Sequence, residues 1–171
     1  MIKEGIAVSN AGLVILASYF PMLLERLGLA TQGAFVSAEA QKNAVHYLQF
    51  VSTGMSHTEE VHLPLTKVLA GMYPSQAVED GIDITESEIA LIEGMIHTIT
   101  TQHWQSIGET SIQGVRGNWL VRDGILSEES ERWELVVEKR PYDLLLNRSP
   151  FSFSIVKNPW MDKPLHVQWE Y

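Results

Sequence analysis

The feature that most constrains the fold is the stretch from Gly5 to Leu24, which contains no charged side chain. A stretch this apolar is normally buried, either in a membrane or in a protein core. Asn10 and Pro21 interrupt it, whereas a membrane-spanning helix needs about 20 predominantly apolar residues in succession. No small-residue cleavage pattern of a signal peptide follows it. The sequence therefore predicts a buried helix in a protein core and no insertion into a membrane.

Helix signals occupy the first two-thirds of the chain. Asn10 is expected to cap a helix from Ala11 to about Leu27, and Pro21 is expected to kink this helix or to restart it from a first-turn position. Thr85 and Glu88 match a capping box. Apolar spacing predicts further helices from Ala38 to about Val51, from Leu63 to Ala70, from Glu86 to about Trp104 and from about Ser111 to Arg122, with an exposed loop from Tyr73 to Ile84.

Strand patterns follow in the last third. Gly124 to Leu126 and Trp133 to Glu138 flank an acid-rich turn, which predicts a hairpin. The segments from Phe151 to Ile155 and from Leu165 to Trp169 alternate between apolar and polar side chains, as strands with one buried face do. Each of these segments is therefore expected to contribute to one sheet.

The fold class follows from the order of these patterns. We predict an α+β fold, in which a helical N-terminal two-thirds of about five helices is followed by a small antiparallel β-sheet. An apolar fraction of 45% and a charged fraction of 19% are those of an ordinary globular protein. One domain is expected over residues 1–171, with a mainly helical part at 1–123 and a small β part at 124–171.

The composition also excludes several kinds of site. The chain has no cysteine, so disulfides, thiolate metal sites and cysteine nucleophiles are absent, and a reducing, cytoplasmic location is favoured. The formal net charge of -9 opposes the counterion release on which nucleic-acid binding depends. We therefore expect no nucleic-acid partner.

The strongest candidates for catalysis are His57, Glu60 and His62. Zinc hydrolases place two histidines four residues apart on a helix, with a glutamate between them as the base. Here the two histidines are five residues apart, which separates them by roughly 140° around a helix. A capped helix start with a solvated acidic turn explains the pattern better. A metal-dependent hydrolase remains the alternative, and we predict no catalytic residue, no cofactor and no bound metal.

Aromatic residues are concentrated in the last third, and the most unusual segment there runs from Asn158 to Pro164. Two prolines in it bracket Trp160 and Met161, so a stiffened backbone offers two large apolar side chains at a turn. This turn is either a plug for the core or an anchor for a partner. The hypothetical partner-binding residues are Trp160, Met161, Trp169, Phe151 and Trp133.

An ordered set of short sequences runs through nearly the whole chain. Its members are Asn10 to Leu16, Phe20–Pro21, Leu27–Gly28–Leu29, Ala44 to Phe50 with Thr53–Gly54, Glu60 with Leu63 to Leu69 and Gly71, Trp133 to Glu138, Tyr142 to Leu146, Pro159–Trp160–Met161 and Val167–Gln168–Trp169. In order and approximate spacing, the set resembles the conserved C-terminal domain of the tape measure proteins of contractile injection systems. Ala70 and Phe151 depart from the residues expected at their positions.

The resemblance implies a non-enzymatic, structural role in a phage-tail-like particle. Tape measure proteins occupy the tube during assembly, and their length sets the tube length. Even as one helix the chain would span only about 260 Å, and its 12 glycines and 7 prolines exclude one continuous helix. The resemblance therefore implies a compact head at one end of such a ruler.

The partners implied by the resemblance are baseplate, spike or tube proteins of the same machine. A homo-oligomer is a further possibility, and a small adaptor or cargo module is the other structural alternative. In each case the chain is expected to be a cytoplasmic protein that is incorporated into an injection-system particle.

Overall fold

The computed structural model describes residues 5–170. Much of the uncharged stretch from Gly5 to Leu24 is buried in the core of the fold. Strand β1 (Ile6–Val8) is followed by a 3₁₀ helix (Ala11–Tyr19) and by helix α1 (Phe20–Arg26). Residues 11–17 are all buried, as expected of a helix that is apolar on every side. Pro21 lies in the first turn of α1, where its missing N–H costs no helix hydrogen bond. The predicted restart at Pro21 is confirmed.

Asn10 does not cap this segment as predicted. Its side chain makes no hydrogen bond to the helix, and its Nδ2 donates instead to Gln49 Oε1 at 3.0 Å. The neighbouring N–H of Ala11 donates to the carbonyl of Arg122 at 2.9 Å. Because both side chains are buried, the amide of Asn10 must find its partner within the core. Asn10 therefore ties the first segment to a distant helix.

The remaining helices each begin within one residue of the predicted start. They are α2 (Ala38–Thr53), α3 (Pro64–Leu69), α4 (Glu86–Thr98) and α5 (Ile112–Val115), with 3₁₀ turns at Glu60–His62 and Gln105–Ile107. The side chain of Ser37 accepts a hydrogen bond from the N–H of Ala40, and Thr85 and Glu88 form the predicted capping box. A short hairpin of β2 (Ala30–Thr31) and β3 (Ala34–Phe35) connects α1 to α2.

Two helices change their winding before they end. Helix α4 continues into a π-helical turn at Ile99–His103, and α5 continues into another at Arg116–Leu120. A π turn shifts every later side chain around the helix axis and is frequent at functional sites. The apolar spacing of the sequence does not reveal either turn.

The main sheet corrects the predicted layout. Its strands are β1, β4 (Gly124–Glu128), β5 (Trp133–Val137), β6 (Ile155–Val156) and β7 (Leu165–Gln168), in the spatial order β1-β4-β5-β7-β6. The predicted hairpin of β4 and β5 is confirmed. The sheet is nevertheless mixed, because β7 pairs with β5 in parallel.

The differences have identifiable physical causes. A parallel pair needs a long crossover, and the segment between β5 and β7 supplies one that contains a 3₁₀ helix (Pro141–Arg148) and β6. The N-terminal strand β1 lies against β4, so the sheet is not confined to the last third. The alternating segment from Phe151 contributes only Ile155 to a strand.

One hydrophobic cluster joins the helices to the sheet. Leu13 and Leu48 belong to it, as do Leu126, Leu135 and Leu165 from the inner face of the sheet. All five are almost fully buried, so each contributes roughly 1.5–3 kcal/mol by leaving water. In the part of the chain that the structure describes, no helix is both long and apolar enough to cross a membrane.

Gly71 and Gly28 form a matched pair of substitution sites. Both have left-handed backbones, with φ of +80° and +77°. A Cβ at Gly71 would lie 2.4 Å from the carbonyl oxygen of Trp160, whereas one at Gly28 would meet no atom within 4 Å. We expect Gly28→Ala to cost about 1–2 kcal/mol from the backbone alone. Gly71→Ala should cost at least about 1 kcal/mol more, because the backbone at Trp160 must move.

Urea unfolding of the two variants measures this difference. Equal losses of stability would contradict the close approach of the Trp160 turn to the end of α3.

Candidate functional site

The structure separates the five hypothetical partner-binding residues into two groups. Trp133, Met161 and Trp169 are 6%, 3% and 7% exposed and belong to the core, whereas Phe151 and Trp160 are half-buried. They also contact different rings: Trp133 lies against Tyr73, Trp160 against Phe35, Phe151 against Tyr19 and Trp169 against Phe153. The interface hypothesis stays a prediction, and only Phe151 and Trp160 are accessible without opening the fold.

The proline-bracketed turn packs against the end of α3. Trp160 Nε1 donates to the carbonyl of Leu69 at 2.7 Å, and Gln41 Nε2 donates to the carbonyl of Ala70 at 2.9 Å. The last carbonyls of a helix have no partner within the helix, so these bonds satisfy acceptors that would otherwise be lost. Met161 fills the core beneath the turn. The turn therefore presents a fixed, partly exposed Trp160 ring.

A buried ion pair lies at the centre of the C-terminal third. Arg122 and Asp143 are each 1% exposed, and Arg122 Nη1 lies 2.5 Å from Asp143 Oδ2. The guanidinium carbon is 5.3, 5.4 and 4.9 Å from the ring centres of Trp119, Tyr142 and Trp169. We refer to these five residues as the arginine–aromatic cluster. Sequence reasoning missed it, because its members are spread along the chain from Trp119 to Trp169.

Hydrogen bonds keep Asp143 ionised inside this cluster. Burial alone raises the pKa of Asp143, but donors from Arg122, the Arg140 N–H and the Trp169 indole outweigh it, so the pKa lies below its ordinary value of 3.8. The Arg140 N–H and Trp169 Nε1 each lie 2.9 Å from Asp143 Oδ2. A buried charge with such partners holds the segments that carry them in one arrangement.

Side chains of this cluster, together with Arg140, donate hydrogen bonds to carbonyls at the end of the second π turn. The carbonyl of Asn118 accepts hydrogen bonds from Arg122 Nη2 at 2.9 Å, Tyr142 Oη at 3.0 Å and Arg140 Nη1 at 3.2 Å. Arg140 also donates to the carbonyl of Val121 at 3.0 Å. These side chains take the place of the backbone donors that a continuing helix would supply. The helical part and the C-terminal third are thereby fastened to each other.

Asp143→Asn tests the importance of this pair. The variant leaves the buried Arg122 charge without its counter-ion, so we expect a loss of about 3–5 kcal/mol in the free energy of unfolding. Glu138→Gln is the matched control, because Glu138 pairs with Arg140 near the surface and its removal should cost less than about 1 kcal/mol. Urea unfolding measures both. A loss below about 1 kcal/mol in Asp143→Asn would show that the pair does not hold the fold together.

The residues of the hydrolase alternative serve other contacts. Glu60 Oε1 accepts a hydrogen bond from the N–H of Val78 and lies 3.5 Å from Lys67 Nζ. His57 Nδ1 is 3.0 Å from the hydroxyl of Ser56, and His62 lies on the surface. Within residues 5–170, no three histidine, aspartate or glutamate side chains lie where they could share a metal ion. Glu60 instead anchors the loop that follows α3.

His46 is a buried titratable group that holds the same loop. It is 1% exposed, its Nε2 lies 2.6 Å from the carbonyl of Glu79, and its Nδ1 has no partner among the described residues. Burial lowers the pKa of His46 and the nearby His57 lowers it further, while the bond to Glu79 and the charges of Asp80 and Glu60 raise it; the net shift is downward from 6.5. The folded protein therefore favours neutral His46.

The pH dependence of stability follows from this shift. The unfolded chain binds a proton at His46 more readily than the folded chain does, so stability falls as the pH decreases below about 6.5. We expect His46→Gln, whose amide can still donate to Glu79, to lose less stability between pH 7.5 and pH 5.5 than the wild type loses. His62→Gln, at an exposed position, is the control variant. Urea midpoints at the two pH values measure these losses, and an unchanged slope in His46→Gln would contradict the assignment.

The chain is a mixed α/β protein, and the buried ion pair of its arginine–aromatic cluster connects elements of its own fold. The family model for contractile injection system tape measure proteins matches residues 2–169 of the 171. The chain therefore belongs to the contractile injection system tape measure protein family, and the resemblance of the ordered sequence set is confirmed. The role of this family is structural. No significant match was found among curated proteins or among solved structures.

Proposed function

We propose that the chain forms a compact, non-enzymatic head that docks on baseplate, spike or tube proteins of a contractile injection system. The observation that carries the proposal is the combination of a family match over residues 2–169 with a fold of short elements. The longest helix that the structure describes, α2, has 16 residues and spans about 24 Å. Elements this short are unsuited to measuring a tube, which supports a role in attachment to the assembly.

One domain over residues 1–171 is part of this proposal. The hydrophobic cluster that contains residues from both the helical part and the sheet supports it. The bonds from Arg122 to the carbonyl of Glu138 and to the carboxylate of Asp143 also cross between the two parts. A head built in this way docks as one unit.

The proposed docking surface is the aromatic C-terminal third. Phe151 and Trp160 supply the accessible rings, whereas Trp133, Met161 and Trp169 belong to the core. The Trp160 indole N–H already donates to Leu69, so a partner that covers the ring buries apolar surface without leaving an unpaired donor. Aromatic anchors of this kind carry much of the binding energy of protein interfaces.

Affinity purification from cells that express an injection-system gene cluster tests the proposal. We expect the tagged wild type to recover baseplate, spike or tube proteins, identified by mass spectrometry. Trp160→Ala and Phe151→Ala should each lower that recovery at least about tenfold, as expected for an aromatic interface anchor. Val61→Ala is the control, because Val61 is the most exposed of the large apolar residues described, at 68%.

Circular dichroism and urea midpoints must show that the two aromatic variants remain folded. Met161→Ala is unsuitable for this test, because a core cavity is expected to cost about 2–5 kcal/mol. Full recovery by both aromatic variants would contradict the docking surface. Failure of the wild type to recover any baseplate, spike or tube protein would contradict the docking function, and recovery of a secreted cargo alone would favour the adaptor alternative.

A further inference from the structure

An open groove of about 410 Å³ lies between helices α1 and α4, away from the arginine–aromatic cluster. Met22 and Arg26 of α1 form one side, Leu91 and Gly94 of α4 form the other, and His103 of the first π turn closes one end. Met22 is 38% exposed, which is unusual for a large apolar side chain beside a helix groove. The groove is therefore accessible apolar surface.

At Gly94 no side chain projects from α4 into the groove. It is exposed in the interior of α4, and a Cβ there would meet no atom within 4 Å. Glycine is the poorest helix former after proline, and within residues 5–170 no packed neighbour requires the missing side chain. Thr98, one turn further on, donates its hydroxyl to the carbonyl of Gly94 at 2.9 Å, so its polar group is already satisfied. A partner backbone can approach this wall closely.

One charged side chain, that of Arg26, lines the groove. No carboxylate lines it, although the chain has a formal net charge of -9. Within residues 5–170, Arg26 is exposed and has no ion-pair partner. Glu93, the nearest carboxylate along α4, is directed to Arg116 at 3.5 Å. The groove therefore complements an acidic partner.

The first π turn fixes the position of the His103 ring at one end of the groove. Its His103 ring stacks on Tyr19 with ring centres 5.8 Å apart, and Tyr19 Oη lies 2.5 Å from His103 Nδ1. Tyr19 also packs edge-on against Phe151 at 5.2 Å. The groove is thus continuous, through Tyr19, with one of the accessible rings of the proposed docking surface, although its own chemistry is independent of that surface.

The shape of the groove matches a helix. Its α4 wall runs from Ala90 to Thr98, a length of about 12 Å or about two helical turns. A helix that lies along another helix inserts its side chains at spacings of three and four into such grooves. We propose that this groove binds an acidic amphipathic α-helix of a partner protein, with apolar side chains against Gly94 and Met22 and carboxylates beside Arg26.

Two synthetic helical peptides of about 16 residues test the proposal. They share one leucine face and differ only in their flanking residues, which are glutamate in one and lysine in the other. Fluorescence polarisation with the full chain should show that the glutamate peptide binds at least about tenfold more tightly. Arg26→Glu should remove or reverse that preference, and added salt should weaken it.

Gly94→Leu and Gly94→Ala form the matched pair for the groove itself. Both replace glycine by a better helix former at an open position, so neither should lower the unfolding midpoint. Gly94→Leu should weaken binding of the glutamate peptide at least about tenfold by filling the groove, whereas Gly94→Ala should leave most of it. Equal binding of the two peptides, binding of neither, or unchanged binding by Gly94→Leu would overturn the proposal. Self-association of the chain that Gly94→Leu abolishes would assign the groove to a second copy and would also overturn it.

Discussion

The ion pair of Arg122 and Asp143 is the interaction on which the rest of the C-terminal third depends. It is fully buried, so neither partner can lose the other without leaving an unpaired charge in the core. Asp143 accepts a hydrogen bond from the indole of Trp169, and Arg122 donates one to the carbonyl of Asn118 in the second π turn. The sheet, the crossover and the helical part are positioned relative to each other by these bonds. In the proposed docking role, such a fixed arrangement would present the same surface to each partner.

Several polar side chains lie in the core and hold the fold together instead of facing the solvent. Asn10, Gln49 and His46 lie in the core and connect segments distant in the chain, which is the usual use of buried polar groups with partners. The aromatic residues are divided between the core and the surface, since Trp133 and Trp169 fill the core while Trp160 stays partly exposed. The docking role that we propose needs both a stable core and accessible rings, and this division is consistent with it.

Local rules predicted the local structure well. Some helix starts depend only on neighbours a few residues away. Ser37 and Thr85 mark them by capping hydrogen bonds, and Pro21 marks one because its missing N–H costs nothing in a first turn, so the sequence contains the information for all three. The parallel pairing of β5 with β7 depends on how a long crossover folds back, which no local pattern encodes. The arginine–aromatic cluster was missed for the same reason, because nothing near Arg122 in the sequence identifies Asp143 as its partner. Asn10 carried a true capping signal, but the demand for a partner in the core was stronger.

The candidate surfaces show the same limit. The turn at Trp160 was recognisable from its two prolines, yet the burial of Met161 beneath it could be seen only in the fold. The groove at Gly94 was not recognisable at all, because the neighbouring wall comes from α1. Residue type thus indicated the candidate partner-binding residues, and only the tertiary structure decided which of them a partner can reach.

Particle length tests the central claim, that the chain is a compact head and not a measuring element. The insertion site is the exposed segment from Ser75 to Ala77, and the insert is a helical segment of about 40 residues, which would add about 60 Å to an extended ruler. Electron microscopy of purified particles then gives the distribution of tube lengths. The account predicts tubes of wild-type length. Tubes that lengthen in proportion to the insert would contradict it.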